Sequence, residues 1–364
     1  MNFKRAFLKS VDKFKVLAPC RADLAGGTLD LWPLYCLIPA SLTLNVALDL
    51  CARVDFEVFE SSQFSAVLKN KHEQYELVGV KPELDLASIP DSLKFPTFIV
   101  NQFILAQRQL PRLSLTIELA SAVPIGSGLG GSSTLLVALG RGLCRVFSDF
   151  IEQGWQWRFL HWAKDTEATF LKVPTGTQDY LAAIFGGLHG FEYHPGRIEA
   201  TAFSSKVFQE LNERMVIVFS GEKHQSGLSN WEVYKKAVEG DEAVVKGLKG
   251  IARLAQQVDS SLRREKVDWS ELGQLLNEEW NLRKATFQVS TPTLDKVIDL
   301  AKSLPGILGV KVCGAAQGGS LLVLVDPSKK ASAIDKIKKS GLEVLPTQAT
   351  LMGVSIRDAH SDED

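Results

Sequence analysis

The residues best suited to chemistry form a glycine-rich segment near the middle of the chain. Residues 124–134 read PIGSGLGGSST, with four glycines within six positions. Because glycine has no Cβ, backbone N–H groups in such a segment can approach an anion closely, and the N-terminus of a following helix favours negative charge. Ser132 and Ser133 add hydroxyls that can bond a phosphate oxygen or ligate Mg²⁺. The segment lacks the Gly-Lys-[Ser/Thr] of a Walker A loop, so it indicates a different phosphate cradle or, alternatively, a flexible hinge or tight turn.

A cluster of charged side chains surrounds a pair of glycines near the start of the chain. Arg21, Asp23 and Asp30 stand close to Gly26 and Gly27 in otherwise apolar sequence. Charged groups in apolar surroundings are costly unless they are paired or used. The cluster is therefore a candidate binding site, with a structural Arg–Asp ion pair as the alternative.

A further glycine cluster, GAAQGG, occupies residues 314–319 between two apolar runs. In isolation such a pattern is more typical of a hairpin-like turn than of a ligand site. This cluster indicates a function only when it is considered together with the two preceding segments.

The elements that must hold these segments follow from hydrophobic periodicity. The run RLSLTIEL at 112–119 alternates apolar and polar residues and predicts a strand before the glycine-rich segment. Leucines at helical spacing predict a helix over 132–147 directly after it. Along the chain the pattern is α+β rather than a regular β-α alternation. Strands are predicted at 14–18, 41–50, 53–60, 112–119, 214–219, 309–312, 320–325 and 341–345, and helices at 98–109, 132–147, 157–171, 178–184, 230–239, 241–258, 269–287, 292–303 and 329–340.

The composition excludes several classes of protein. The 364 residues carry 41 basic and 42 acidic side chains, so there is no basic excess for a nucleic-acid partner. Five scattered cysteines without a C-x-x-C pair predict neither a disulfide framework nor a zinc site. The first residues lack an apolar secretory core, and prolines interrupt the uncharged stretch 31–48. We therefore expect a cytoplasmic protein without a nucleic-acid or membrane partner.

In this order, the three segments resemble the motifs of the GHMP kinase superfamily, which includes galactokinases, homoserine kinases, mevalonate kinases and phosphomevalonate kinases. They read APCRADLAGGTLDLWPLY from residue 18, PIGSGLGGSST from 124 and KVCGAAQGG from 311. The resemblance implies a two-domain α+β fold, in which an N-terminal mixed sheet with helices (ribosomal S5-like) precedes a ferredoxin-like C-terminal domain. Because strand-rich sequence gives way to helix-rich sequence near residue 200, we expect a nucleotide-binding domain at 1–200 and a C-terminal domain at 201–364. The active site would lie in the cleft between them.

The same resemblance implies roles for single residues. Glu167 falls on the family's metal-binding acid and Asp179 on its catalytic acid, with Arg21 nearby to keep that carboxylate ionised. The implied reaction passes the γ-phosphoryl group of ATP to a substrate hydroxyl, with Mg²⁺ held by Ser132 and Glu167. Residues expected at the nucleotide are Pro124, Gly126, Ser127, Gly128, Leu129, Gly130, Gly131, Ser132 and Ser133. Residues expected at the substrate are Asp23, Gly26, Gly27, Thr28, Asp30, Gln178 and Gly314, with Lys223 and Arg283 as basic contacts for an acceptor phosphate.

The first motif and the segment YLAAIFGGLHGFEY resemble sugar and sugar-phosphate members, particularly heptose-7-phosphate kinases and fucokinases. We therefore expect a sugar or sugar-phosphate kinase that acts at the anomeric hydroxyl of a heptose 7-phosphate-like acceptor, as a monomer or homodimer. Ala316 replaces the middle glycine of the third motif, and Leu29 interrupts the usual Gly-Gly-Gly-Thr-Asp, so the exact sugar stays open. The alternatives are a galactokinase- or mevalonate-type kinase and a catalytically inactive ligand sensor.

Overall fold

Strands and helices alternate irregularly in the computed structural model, which describes residues 10–107, 109, 112–149, 152–222, 228–314 and 319–358. The first elements are β1 (Ser10–Ala25), α1 (Leu34–Leu37), β2 (Leu42–Glu60), β3 (Ser65–Lys69), β4 (Gln74–Val78), α2 (Asp91–Leu105), β5 (Leu113–Ser121), α3 (Gly131–Phe147), α4 (Trp155–Leu171), α5 (Gln178–Phe185), β6 (Leu188–His194) and β7 (Arg197–Ala202). The others are α6 (Ser205–Arg214), β8 (Met215–Phe219), α7 (Leu228–Val238), α8 (Glu242–Leu262), α9 (Trp269–Phe287), α10 (Pro292–Ser303), β9 (Ile307–Val312), β10 (Ser320–Val325), α11 (Lys330–Lys339), β11 (Glu343–Val344) and β12 (Ser355–Asp358).

The larger sheet has the strand order β12-β1-β2-β5-β3-β4, with β6 paired to the first part of β2 and β7 paired to β6. Its pairs are antiparallel except for β3 with β5, which are parallel. Strand β5 buries Leu115 and Ile117, whereas Glu118 is exposed. Since alternate side chains point to opposite faces of a strand, this pattern fixes which face of β5 enters the core.

Helix α3 covers the buried face of this sheet and sets the position of the glycine-rich segment. It begins at Gly131, directly after that segment, and packs against β1 and β2. Leu136, Leu139 and Leu143 of α3 are fully buried. An apolar stripe at helical spacing therefore anchors the helix, while its first turn is left at the edge of the core.

The smaller sheet is antiparallel and runs β11-β8-β10-β9. Every residue of its strand β10, SLLVLV, is buried, because Leu322 and Leu324 join a core with α8 and α9 while Leu321 and Val323 join one with α10 and α11. The first of these cores also contains Leu44 and other residues of β1 and β2. The two sheets therefore share one hydrophobic core.

The α+β class predicted from sequence is confirmed, and the differences in single elements have physical causes. The strands predicted at 41–50 and 53–60 form one strand, β2, which continues through a register shift: Cys51 pairs with Pro19 and Leu48 with Cys20, so the two residues between them are extra in β2. The helix predicted at 98–109 is Asp91–Leu105 and runs through Pro96. The elements α1, β3, β4, β6, β7, α6 and β12 were not predicted. All of them except α6 have seven residues or fewer, so each offers few positions from which a period can be recognised.

The strand pairing bears on the proposed division of the chain. Residue 200 lies inside β7, and β12 pairs with β1 in the larger sheet. We propose that the first domain consists of the chain up to about residue 202 together with Ser355–Asp358, and that the second domain consists of the residues between these two parts. None of the helices in the described residues combines the length and apolar character needed to cross a membrane.

Candidate active site

A cavity of about 760 Å³ opens between the glycine-rich segment and the loop that leads into α5. Its charged lining residues are Arg21, Asp30, Glu167 and Asp179, all of them predicted site residues. The remaining lining residues are Asn70, Ser92, Leu119, Ala120, Ser121, Val123, Pro124, Ile125, Gly126, Ser127, Gly128, Gly130, Gly131, Ser132, Ser133, Leu135, Leu171, Pro174, Thr175, Gly176, Gln178, Asn230 and Gly314. The structure thus brings residues of all three sequence motifs to one cavity.

The glycine-rich segment forms the wall of the cavity at the N-terminus of α3. Gly126, Gly128 and Gly130 have φ values of 76°, 73° and 80°, a region that glycine occupies without the steric cost of a side chain. Gly130 is the N-cap of α3, so the first N–H groups of the helix carry the positive end of its dipole toward the cavity. Backbone N–H groups at such a terminus form a ready site for a phosphate.

The third motif packs directly against the glycine-rich segment. The amide of Ser320 donates a hydrogen bond of 2.7 Å to the carbonyl oxygen of Ser127. A Cβ on Gly314 would lie 2.8 Å from the carbonyl oxygen of Gly128, which explains why glycine is needed there. The carbonyl oxygen of Gly128 also accepts a hydrogen bond of 2.6 Å from Arg21 Nη1. These contacts fix the position of the glycine-rich segment relative to the first and third motifs.

Asp179 and Arg21 form an ion pair on the cavity wall. The Nη2 and Nε atoms of Arg21 lie 2.6 and 2.7 Å from Asp179 Oδ1. Arg21 is 3% exposed, whereas the Asp179 side chain is 24% exposed through the cavity. Burial alone would lower the pKa of Arg21, but the carboxylates of Asp179 and Asp23 raise it above its ordinary value. A permanently charged guanidinium therefore stands beside an accessible carboxylate.

Glu167 of α4 lies at the opposite side of the first turn of α3, among hydroxyl groups. Ser133 Oγ donates to its Oε2 at 2.9 Å, and Ser132 Oγ contacts its Oε1 at 3.3 Å. The hydroxyl of Tyr180 also donates to Oε2. Burial raises the pKa of Glu167, and the hydrogen bonds from Tyr180 and Ser133 oppose that rise. The carboxylate is therefore held in place by three hydroxyls.

Asp30 caps the turn before α5 and so positions Asp179, the second residue of that helix. Its Oδ2 accepts hydrogen bonds from the amides of Thr177 at 2.6 Å and Gln178 at 3.0 Å. A Cβ on Gly176 would lie 2.0 Å from the same oxygen. Burial raises the pKa of the Asp30 carboxyl, and the hydrogen bond from the Gln178 amide opposes that rise.

Two family models match the chain. The model described as GHMP kinases N terminal domain matches residues 98–187, and the one described as GHMP kinases C terminal matches residues 261–342. The chain belongs to the GHMP kinase family. The first match contains the glycine-rich segment, Glu167 and Asp179, and the second contains Lys311 and the third motif.

Individual relatives of this GHMP kinase align over most of its length. A D-glycero-alpha-D-manno-heptose 7-phosphate kinase of Campylobacter jejuni is 28% identical over 333 residues, which cover 88% of this chain and 92% of the relative. A galactokinase of Bos taurus is 22% identical, with 92% of this chain and 90% of the relative covered. A crystal structure of a D-glycero-D-manno-heptose 1-phosphate kinase from Bacteroides thetaiotaomicron superposes with a TM-score of 0.74 at 23% identity and covers 96% of this chain and 100% of that one. The fold is therefore that of the two-domain GHMP kinases, as the sequence predicted.

Several predicted substrate residues of this GHMP kinase do not line the cavity. Asp23 is fully buried, and both of its oxygens have partners inside the protein: Lys311 Nζ at 2.7 Å and the Gly314 amide at 2.7 Å. Gly26 and Gly27 directly follow β1 and do not line the cavity, and a Cβ on Gly26 would lie 1.8 Å from the carbonyl oxygen of Leu42. The expectation that the Asp23 carboxylate is free to bind a sugar hydroxyl is therefore wrong.

Arg283 was expected as a basic contact for an acceptor phosphate, but it does not line the cavity. It is 1% exposed in the middle of α9 and donates to the carbonyl oxygen of Gly27 at 2.7 Å and to Thr28 Oγ1 at 3.1 Å. Leu272, Leu276 and Arg283 belong to the buried positions of α9 that recur at helical spacing, so Arg283 lies on the inner face of the helix. Lys223, the other predicted contact, and Ala316 lie outside the described residues. Leu129 is buried beneath the glycine-rich segment.

Three residues of the site were missed from sequence. Tyr180 supports Glu167, and its position directly after Asp179 was the available signal. Lys311 is a lone charge in the apolar strand ILGVKV, which indicates a buried ion pair. Asn230, at the start of α7, lines the cavity with its Oδ1 3.4 Å from Thr28 Oγ1. Nothing in the local sequence distinguishes Asn230 from an ordinary helix residue.

Proposed function

We propose that this protein transfers the γ-phosphoryl group of ATP to a hydroxyl group of a sugar or sugar phosphate. One observation carries the proposal: the carboxylate of Asp179 lies on the cavity wall beside Arg21 and against the N-terminus of α3. A Cβ on Gly130 would lie only 2.9 Å from Asp179 Cγ, so the carboxylate and the phosphate cradle are neighbours. Phosphoryl transfer relies mainly on positioning and charge neutralisation, and this arrangement supplies both.

The nucleotide fits the part of the cavity bounded by the glycine-rich segment. Its phosphates would lie against the backbone N–H groups of Gly128–Ser133, with the fixed dipole of α3 behind them. The apolar lining residues Leu119, Val123, Leu135 and Leu171 offer a surface for the adenine ring. This arrangement leaves the Asp179 side of the cavity for the acceptor.

The residues around Glu167 fit a Mg²⁺ ion by the chemistry of their donor atoms. The carboxylate of Glu167 and the hydroxyl of Ser132 are hard oxygen ligands, which Mg²⁺ prefers, and both line the cavity. Mg²⁺ bound there with ATP would neutralise charge on the phosphate oxygens. Ser133 and Tyr180 would keep the Glu167 carboxylate oriented.

Asp179 would accept the proton of the attacking hydroxyl as it approaches the γ-phosphorus. Since Arg21 donates to Oδ1, Oδ2 of Asp179 would be the oxygen that accepts the proton. Arg21 would stabilise charge on the transferred phosphoryl group from the same position. Asp30 and Gln178 would contribute indirectly, since their hydrogen bond fixes the first turn of the helix that carries Asp179.

The acceptor is proposed from the named relatives and from the cavity. We propose a heptose 7-phosphate-like sugar that is phosphorylated at its anomeric hydroxyl, because a heptose 7-phosphate kinase aligns over 88% of the chain. Among the described lining residues Arg21 is the only basic one, so the acceptor's own phosphate needs a further cation, and Lys223 remains the predicted one. We further propose a cytoplasmic monomer or homodimer.

The test is an ADP-release screen with ATP and Mg²⁺ against free sugars, sugar phosphates including heptose 7-phosphate, and mevalonate. Asp179→Asn should lower kcat at least about 100-fold, because a general base typically contributes 10²–10⁴. Affinity for ADP should stay within about threefold, because the phosphate cradle is backbone. Asp165→Asn, which changes an exposed aspartate on α4, is the matched control and should leave turnover unchanged.

Three results would contradict the proposal. Turnover of mevalonate alone would exclude a sugar acceptor. Nucleotide binding without turnover of any acceptor would favour a ligand sensor. Substantial turnover by Asp179→Asn would remove Asp179 from the role of base.

A further inference from the structure

Arg21 of the proposed catalytic ion pair belongs to a group of five buried charged side chains, which we call the inter-motif charge cluster. They are Arg21 and Asp23 of β1, Lys311 of β9, and Glu279 and Arg283 of α9, and each is at most 3% exposed. The cluster joins the first motif to the third motif and to α9, across as many as 288 positions of sequence.

Each member of the cluster contacts an oppositely charged neighbour. Lys311 Nζ lies 2.7 Å from Asp23 Oδ2 and 3.2 Å from Glu279 Oε2. Arg283 Nη2 lies 2.9 Å from Glu279 Oε1. Arg21 Nη1 is more distant from Asp23 Oδ1, at 4.0 Å, and directs its shorter contacts to Asp179.

The cluster contains three positive and two negative groups, so it carries one excess positive charge. That charge is balanced at the cavity by Asp179, the partner of Arg21. Burial alone would lower the pKa of Lys311, but Asp23 and Glu279 raise it above its ordinary value. Lys311 is therefore charged, and the excess positive charge of the cluster depends on it.

We propose that Lys311 is a positioning residue for the kinase reaction: it occupies Asp23 so that Arg21 stays directed at Asp179 and at the phosphate. This inference rests on the proposed function. A buried carboxylate that loses its cation is strongly destabilised, so it draws in the nearest remaining one. For Asp23 that cation is Arg21, whose guanidinium is already 4.0 Å away. Lys311 itself does not line the cavity.

Asp23 also connects Lys311 to the glycine-rich segment through Gly314. Its Oδ1 accepts from the Gly314 amide at 2.7 Å, and Gly314 packs against the carbonyl oxygen of Gly128. Arg21 donates to that same carbonyl oxygen. A shift of Asp23 toward Arg21 thus loosens the glycine-rich segment and the catalytic ion pair together.

The test compares Lys311→Gln with the double variant Asp23→Asn/Lys311→Gln. Glutamine can still donate a hydrogen bond to Asp23, which favours folding, but it carries no charge. The double variant removes one charge of each sign and keeps the excess positive charge of the cluster. Lys284→Met is the control, because Lys284 of α9 forms an exposed ion pair with Asp295 of α10.

We expect Lys311→Gln to lower kcat at least about tenfold with the KM for ATP within about threefold, and the double variant to recover kcat to within about threefold of the parent protein. A single variant as fast as the parent protein, or a double variant as slow as the single one, would overturn the proposal. Lys284→Met should leave both parameters unchanged.

A spectroscopic readout separates this proposal from the proposed function. In arginine-labelled protein, the Nε–H signal of Arg21 (assigned with Arg21→Lys) reports its hydrogen bond to Asp179 Oδ1. Lys311→Gln should move this signal as Asp179→Asn does, and the double variant should return it. This holds even if the protein phosphorylates no sugar. A signal unaffected by Lys311→Gln would refute the positioning role.

Discussion

Replacing Gly130 with alanine tests the contact between the phosphate cradle and the proposed base. Gly130 is the N-cap of α3 with φ 80°, and an added Cβ would lie 2.9 Å from Asp179 Cγ. Gly154 is the N-cap of α4 with φ 78°, and an added Cβ there meets no atom within 4 Å. The two glycines share the backbone geometry and differ in the neighbour, so Gly154→Ala is a matched control.

The magnitudes follow from these distances. Alanine in a left-handed conformation costs about 1–2 kcal/mol, and this cost is common to both variants. At position 130 the Asp179 carboxyl must also withdraw by roughly 0.5–1 Å to reach an ordinary carbon–carbon contact of about 3.5–4.0 Å. A misplacement of about 1 Å at a reacting group can cost about 100-fold in rate. We therefore expect Gly130→Ala to lower kcat by about 10- to 100-fold, and Gly154→Ala to leave it unchanged.

The assay combines ADP release at saturating ATP and acceptor with urea unfolding of both variants. Unfolding measures the shared backbone cost, and the ratio of the two kcat values isolates the contact with Asp179. Equal kcat values for Gly130→Ala and Gly154→Ala would refute the reasoning, because Asp179 would then tolerate displacement. If only Gly130→Ala lowered the free energy of unfolding, the assumption that both variants have the same backbone cost would be wrong.

Two further predictions concern the acceptor and the buried charges. Asn230→Ala should raise the KM for the acceptor about tenfold, because loss of one hydrogen bond costs about 1.5 kcal/mol, and should leave the KM for ATP unchanged. If steady-state kinetics gave an unchanged KM for the acceptor, Asn230 would not bind it. Although burial opposes it, Lys311 and Arg21 lower the pKa of Asp23 from 3.8 to about 2, so Asp23 stabilises the fold above about pH 4, and this contribution is lost as the pH falls toward 2. The stability advantage of the parent protein over Asp23→Asn in urea unfolding should therefore shrink by roughly 2 kcal/mol between about pH 6 and pH 2, and a constant difference would contradict the ion pair.

Local sequence was sufficient to predict the parts of the site that a single segment builds. The glycine-rich segment was predicted as a phosphate-binding loop because it stands between a strand of alternating residues and a helix with an apolar stripe. The structure places this segment at the N-terminus of α3. Glu167 and Asp179 were predicted through motif resemblance, and both line the cavity. Their proposed roles remain predictions.

The parts that failed depend on contacts between distant segments. Asp23 was interpreted as a ligand because its partner Lys311 is 288 positions away, and a charge in apolar sequence does not reveal whether its partner is a protein group or a substrate. Arg283 was interpreted as a contact for the acceptor phosphate because the face of α9 that it occupies depends on how α9 packs against β1 and β9. Asp30 lines the cavity, but its hydrogen bonds to the turn before α5 are likewise long-range.

The inter-motif charge cluster also limits how this molecule can be recombined with its relatives. A chimera that took residues 261–342 from another GHMP kinase without a lysine at 311 would leave Asp23 buried without its nearest cation, and one that took a first motif without an aspartate at 23 would remove the same ion pair from Lys311. Such a mismatch typically costs about 3–5 kcal/mol, a large share of the stability of a folded domain. A working chimera must therefore take all five charged residues from the same parent protein, and exchanging one domain alone does not achieve this.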